Sequence, residues 1–119
     1  MENKIVIKQV LLRKVSSERE IAEKYYSVLS AINALGLTKS EIQLIAFTAI
    51  KGNITYANVR QEFCKEYKTT SPTINNIVSK LKKQNIFLKK GKLIYINPVI
   101  VIDFKNDVTL EINLKHEAS

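Results

Sequence analysis

The chain has 119 residues, 45% apolar and 25% charged, with 19 Lys and Arg against 11 Asp and Glu for a net charge of +8. That length holds one domain rather than two full ones, and the ordinary apolar share excludes wholesale disorder. One cysteine excludes an intrachain disulfide, no run reaches the roughly 18 apolar residues of a membrane span, and charges interrupt the apolar stretch of MENKIVIKQVLLRK, a poor signal peptide.

Residues 4–15 (KIVIKQVLLRKV) are rich in β-branched side chains and predict a strand with apolar residues on both faces. Such a strand needs cover on both sides or a second sheet to join. Helix signals begin at Ser17. Ser17 and Glu20 have capping-box spacing, Ile21, Tyr25, Val28, Leu29, Ile32 and Leu35 repeat at helical period, and Gly36 supplies a left-handed stop, predicting a helix over 18–35. Thr38 and Glu41 form another capping box, Leu37 and Ile42 are spaced for a hydrophobic staple, and Gly52 closes a second helix over 39–51. Its apolar residues cover more than one stripe, which makes it central. A third helix over 56–67 puts Tyr56, Val59, Phe63 and Tyr67 on its buried side.

A fourth helix is predicted over 72–84, with Ser71 as N-cap and Pro72 at the first helical position, where its missing donor costs nothing. Ile74, Ile77, Val78 and Leu81 form its narrow apolar stripe, and Asn85 can end it in the left-handed conformation. Residues 86–96 (IFLKKGKLIYI) are two short apolar strands around Lys90-Gly91, a hairpin with a lysine-rich tip. After the break at Asn97-Pro98, VIVIDF (99–104), a polar turn (105–107) and VTLEINL (108–114) predict a second hairpin. Its last strand alternates Val108, Leu110, Ile112 and Leu114 with Thr109, Glu111 and Asn113. The organisation expected is an N-terminal arm (1–16), a helical and hairpin domain (17–98), and a C-terminal β-hairpin with tail (99–119).

The charge is localised. Residues 51–96 hold ten basic and two acidic residues, and residues 68–92 hold seven lysines and no acid. An ordinary solvated face mixes signs; a one-signed segment suits a polyanion. Lys outnumbers Arg 16 to 3, and Ile and Asn are abundant. That is the codon bias of an A·T-rich genome, as in many phages and mobile elements.

LTKSEIQLIAFTAIKG followed by TTSPTINNIVSKLKKQNIFLKKGKLIYINP resembles the winged helix-turn-helix core of small bacterial and phage regulators, and LIYINP that of winged-helix plasmid replication initiators. The resemblance covers about residues 37–98, with Gln84-Asn85 where such proteins usually carry Lys-Gly. It implies an α+β fold, a winged helix-turn-helix core flanked by an N-terminal strand and a C-terminal β-hairpin, and double-stranded DNA as partner. Groove physics agrees: a helix fits the major groove, and Asn pairs with an adenine edge in two-point fashion. The side chains expected at base edges are Thr70, Ser71, Thr73, Asn75, Asn76 and Ser79. Those expected at phosphates are Lys68, Lys80, Lys83, Lys89, Lys90 and Lys92.

Each of these residues also has a plain reading. Exposed lysines solubilise, and Asn on a helix face is usually just solvated. Tyr25, Tyr26, Tyr56 and Tyr67 fit core or rim packing, with Tyr95 alone near a ligand. Cys64 and His116 do not make a metal site, Asp103, Asp107 and Glu111 read as solvated edge charges, and no nucleophile has a partner base. Neither metal nor cofactor nor enzymatic activity is expected. The function expected is a transcriptional regulator or replication initiator of a phage or mobile element, acting in the bacterial host cytoplasm. The alternative is a structural or adaptor subunit of a virion or nucleoprotein assembly. In either case residues 4–15, 18–35 and 99–114 are the expected surfaces of a homodimer or larger assembly, and no membrane is involved.

Overall fold

A computed structural model describes residues 17–111 and 113–116 as four helices followed by a two-stranded antiparallel hairpin. The helices are α1 (Glu18–Ile32), α2 (Lys39–Lys51), α3 (Ala57–Tyr67) and α4 (Ser71–Lys82); the strands are β1 (Phe87–Lys90) and β2 (Leu93–Ile96). The arm at 4–15 lies outside the described residues.

Local chemistry places the helix ends. Ser17 Oγ accepts from the Glu20 amide, and the Thr38–Glu41 capping box is complete in both directions. α1 stops earlier than Gly36 because Ala34 takes the left-handed conformation (φ 52°) and the Leu35 amide donates to the Ser30 carbonyl at 3.0 Å, closing a Schellman turn. Asn85 (φ 60°) performs the same closure for α4, with the Ile86 amide on the Leu81 carbonyl at 3.1 Å. At the start of α4 the expected cap shifts by one residue. Thr70 is the N-cap and Ser71 the first helical residue, which moves Pro72 to the second, where its missing N–H is still harmless.

α2 is the buried centre, with Leu44, Ile45, Ala46, Phe47 and Thr48 all inaccessible. Phe63 of α3 and Ile74, Val78 and Leu81 of α4 close over it with Ile86, Phe87 and Ile96 of the hairpin. Burying each such aliphatic side chain contributes roughly 1.5–3 kcal/mol, which is what holds α4 to the bundle. The hairpin pairs Phe87 with Ile96 and Lys90 with Leu93 around a two-residue turn, Gly91-Lys92. Gly91 has φ 62°, which a two-residue primed turn demands. The α2–α3 connection clamps β2 on its free edge: the Ile54 amide donates to the Ile94 carbonyl at 2.9 Å, and Thr55 Oγ1 accepts from the Ile94 amide at 2.7 Å.

The expected second hairpin is not formed. Pro98–Ile100 is a single 3-10 turn, and no strand is present among the described residues of 101–116. Asn97 explains the turn, its Oδ1 accepting from the Val99 amide at 3.1 Å and its Nδ2 donating to the Asn85 carbonyl at 3.0 Å. Tyr26 Oη donates to the Ile100 carbonyl at 2.7 Å, and buried Phe104 packs edge-tilted on Tyr25 and Tyr26. With Phe104 anchored on α1, the described residues of 108–114 have no strand to pair with among the described residues, and alternation alone makes no ladder.

Candidate nucleic-acid interface

At 3.6 residues per turn, the buried stripe of α4 sets the direction of every other side chain. Pro72, Asn76, Ser79 and Lys83 fall opposite Ile74, Val78 and Leu81, forming the outward ridge. One flank carries Ser71 and Asn75 towards α3; the other carries Thr73 and Lys80 towards the start of α2. The hydrogen bonds agree with this division.

On the α3 flank, Arg60 gathers three acceptors. Its Nε donates to the Ile54 carbonyl at 2.9 Å, and one terminal nitrogen donates to Ser71 Oγ at 3.0 Å and Asn75 Oδ1 at 2.7 Å. On the other flank, Lys80 Nζ lies 2.8 Å from Glu41 Oε2. Glu41 is only 4% exposed because it sits inside its capping box. Burial opposes its ionisation, but the Lys80 ammonium and the Thr38 amide and hydroxyl outweigh burial and hold its carboxyl below the ordinary value. Lys80, expected to meet phosphate, thus has an acidic partner within the fold, although its side chain remains 56% exposed. Thr70 and Thr73 share a hydroxyl contact at 3.1 Å across the first turn of α4.

The remaining expected residues are placed as follows. Asn76, Ser79 and Lys83 are exposed on the ridge and have no side-chain partner among the described residues. Lys68 lies in the turn before α4, and Lys89, Lys90 and Lys92 are exposed at the hairpin tip. None of these lysines has an acidic partner among the described residues, whereas the two acids of the basic segment are both neutralised, Glu62 by Lys51 and Glu66 by Arg19. Glu66 joins Glu18, Glu20 and Glu23 around a cleft lined by α1, α2 and α3 residues and by none from α4 or the hairpin. Apart from Glu41, which pairs with Lys80, these acids lie away from α4 and the hairpin in the fold.

Of the tyrosines, Tyr26 is core and Tyr25 and Tyr67 are half-buried, but Tyr56 is 57% exposed instead of packing inward. Tyr95 is half-buried opposite Leu88 in the hairpin. Among the described residues no three His, Cys, Asp or Glu side chains gather to hold a metal ion, and no helix is long and apolar enough to cross a membrane. Arg60 is the residue sequence reading missed as a site member. Its three partners come from the α2–α3 connection and from α4, so only its basic charge was visible. No protein-family model, curated protein or solved structure matches the chain.

Proposed function

We propose that this chain is a non-enzymatic double-stranded DNA-binding protein of the winged helix-turn-helix type, a transcriptional regulator or replication initiator of a phage or mobile element. In this arrangement α3 and α4, joined by the short turn 68–70, are the helix-turn-helix, and β1–β2 is the wing. The observation that carries the proposal is the ridge of α4, whose polar side chains Asn76, Ser79 and Lys83 have no partner among the described residues, flanked in sequence by lysines that likewise have no acidic partner among them. Asn76 and Ser79 are free to read base edges, while Lys68, Lys83, Lys89, Lys90 and Lys92 supply charge for phosphates.

The test is a fluorescence-anisotropy titration against random duplex and against the DNA upstream of the protein's own coding region, repeated at several salt concentrations. Binding is expected to both, tighter to one, with log K falling linearly against log salt by about 0.9 per phosphate contact. Absence of binding to any duplex at about 50 mM salt overturns the proposal.

A second reading, a subunit of a larger nucleoprotein or virion assembly, is favoured by one observation. Val99 (85% exposed) and Leu114 (95% exposed) leave large apolar side chains in water, with Ile102 and Leu110 partly so. A homodimer that covers them would carry two copies of α4, the number a two-fold duplex site calls for.

A further inference from the structure

Arg60 changes what α4 offers to a base. Its terminal nitrogen occupies Asn75 Oδ1 at 2.7 Å and Ser71 Oγ at 3.0 Å, so both side chains spend acceptor capacity on it. The remaining lone pairs lie beside a guanidinium, which repels the positive hydrogen of any further donor. What stays free is donor chemistry: the Asn75 Nδ2 hydrogens, the Ser71 hydroxyl hydrogen and the second terminal nitrogen of Arg60, none of which has a partner among the described residues. Ser71 and Asn75 are exposed, one turn apart on the same flank. An Asn with both amide ends free suits adenine, which presents N7 as acceptor and N6–H as donor. An Asn reduced to its donor end suits guanine, whose N7 and O6 both accept.

We infer, on the premise that α4 reads DNA, that Arg60 is a specificity-determining residue. It makes Ser71 and Asn75 a donor-only cluster that selects a paired-acceptor edge, guanine N7 and O6, over adenine. Asn76 has no such clamp and keeps two-sided amide chemistry. Phosphate oxygens also present paired acceptors, so the experiment must separate base from backbone.

The experiment is selection from a randomised duplex pool with wild type, Arg60→Leu and Asn75→Asp, followed by titration of the winning duplex with 7-deazaguanine, which lacks the N7 acceptor, at the selected position. Wild type is expected to prefer guanine over adenine by about tenfold at one position per site and to lose about tenfold on the deaza duplex, within the range of a bidentate contact. Arg60→Leu frees both amide ends of Asn75 and is expected to bring the guanine-to-adenine ratio below one. Asn75→Asp keeps the Arg60 contact but replaces the donors by an acceptor, so the preference should move to cytosine, whose N4–H donates. Should Arg60→Leu lose its helical circular dichroism, the exposed Asn75→Asp substitution and the deaza duplex decide. Adenine at that position in wild type, or a guanine preference that survives in Asn75→Asp, overturns the assignment. So does an Arg60→Leu variant that weakens all duplexes equally and lowers the salt slope by about one, which makes the cluster a phosphate clamp. Failure of the wild type to bind any duplex overturns the premise about α4 instead.

Discussion

Lys80 and Lys83, one turn apart at the end of α4, were equivalent in sequence, yet of the two only Lys83 has no acidic partner among the described residues. Glu41 claims Lys80 at 2.8 Å. Lys83→Ala should therefore lower the slope of log K against log salt by about one unit, whereas Lys80→Ala should lower it by clearly less. Equal slopes for the two variants would show that the Glu41 contact gives way on binding. Glu41 itself links charge to stability. Its carboxyl is held below the ordinary value, so the unfolded chain binds the proton more readily than the folded one. The stabilisation is complete above the ordinary carboxylate range and is lost as pH falls through the lower folded value. Glu41→Gln should flatten the acid side of a stability–pH profile, and Glu41→Ala should cost about 1–2 kcal/mol at neutral pH by removing a capping partner. Thermal melts between pH 3 and 7 measure both. Thr38–Glu41 was legible because capping boxes are local; its tie to Lys80 depends on how α4 lies against α2.

The α3–α4 turn departs from what local stability alone would choose. Lys68 occupies the left-handed conformation (φ 52°), and the Thr69 amide closes on the Cys64 carbonyl at 3.1 Å, a position where glycine is commoner. Lys68→Gly should raise stability by about 0.5–1 kcal/mol, a gain of a few degrees in Tm, while weakening duplex binding if Lys68 contacts a phosphate. A variant that melts higher and binds unchanged would make Lys68 only a strained cap. In the hairpin, Lys89→Ala combined with Lys90→Ala should weaken specific and random duplexes alike and reduce the salt slope by about one unit per lost contact. An unchanged slope would show that the tip points away from DNA. All four helices and this hairpin were legible because period, caps and turn residues are written within each segment. The clamp of Ile54 and Thr55 on β2 was not, since its partners lie about forty residues away in Ile94. The C-terminal hairpin failed for the complementary reason. Its alternation was real in sequence, but a strand needs a partner edge, and Tyr26 and Phe104 tie the preceding chain to α1 instead.

Among the described residues, charge and exposed apolar surface are unevenly distributed. Acid lines the cleft at Glu18, Glu20, Glu23 and Glu66, lysines without an acidic partner follow α4 and the hairpin, and most of the exposed large apolar side chains belong to 99–114 and to Val28 and Ile32 of α1, with Tyr56 and Leu93 exposed elsewhere. Phe104 anchors the C-terminal segment on α1, and none of the apolar residues of 99–114 belongs to the set assigned to DNA. Val99 and Leu114 stay almost wholly in water on one chain, and burying each against a second copy would contribute roughly 1.5–3 kcal/mol. Sedimentation velocity over a hundredfold range of concentration should therefore show a monomer–dimer equilibrium. Val99→Ser combined with Leu114→Ser should raise the dimer dissociation constant at least about tenfold, each tenfold being about 1.4 kcal/mol. Both side chains are exposed, so the double variant should keep the wild-type melting temperature at a concentration where each is monomeric. If duplex binding needs two α4 helices, the same variant should bind a single half-site as tightly as wild type and lose the advantage of a paired site. A chain that sediments as a monomer at every concentration, with or without duplex, removes self-association and leaves the exposed apolar segment to a foreign partner.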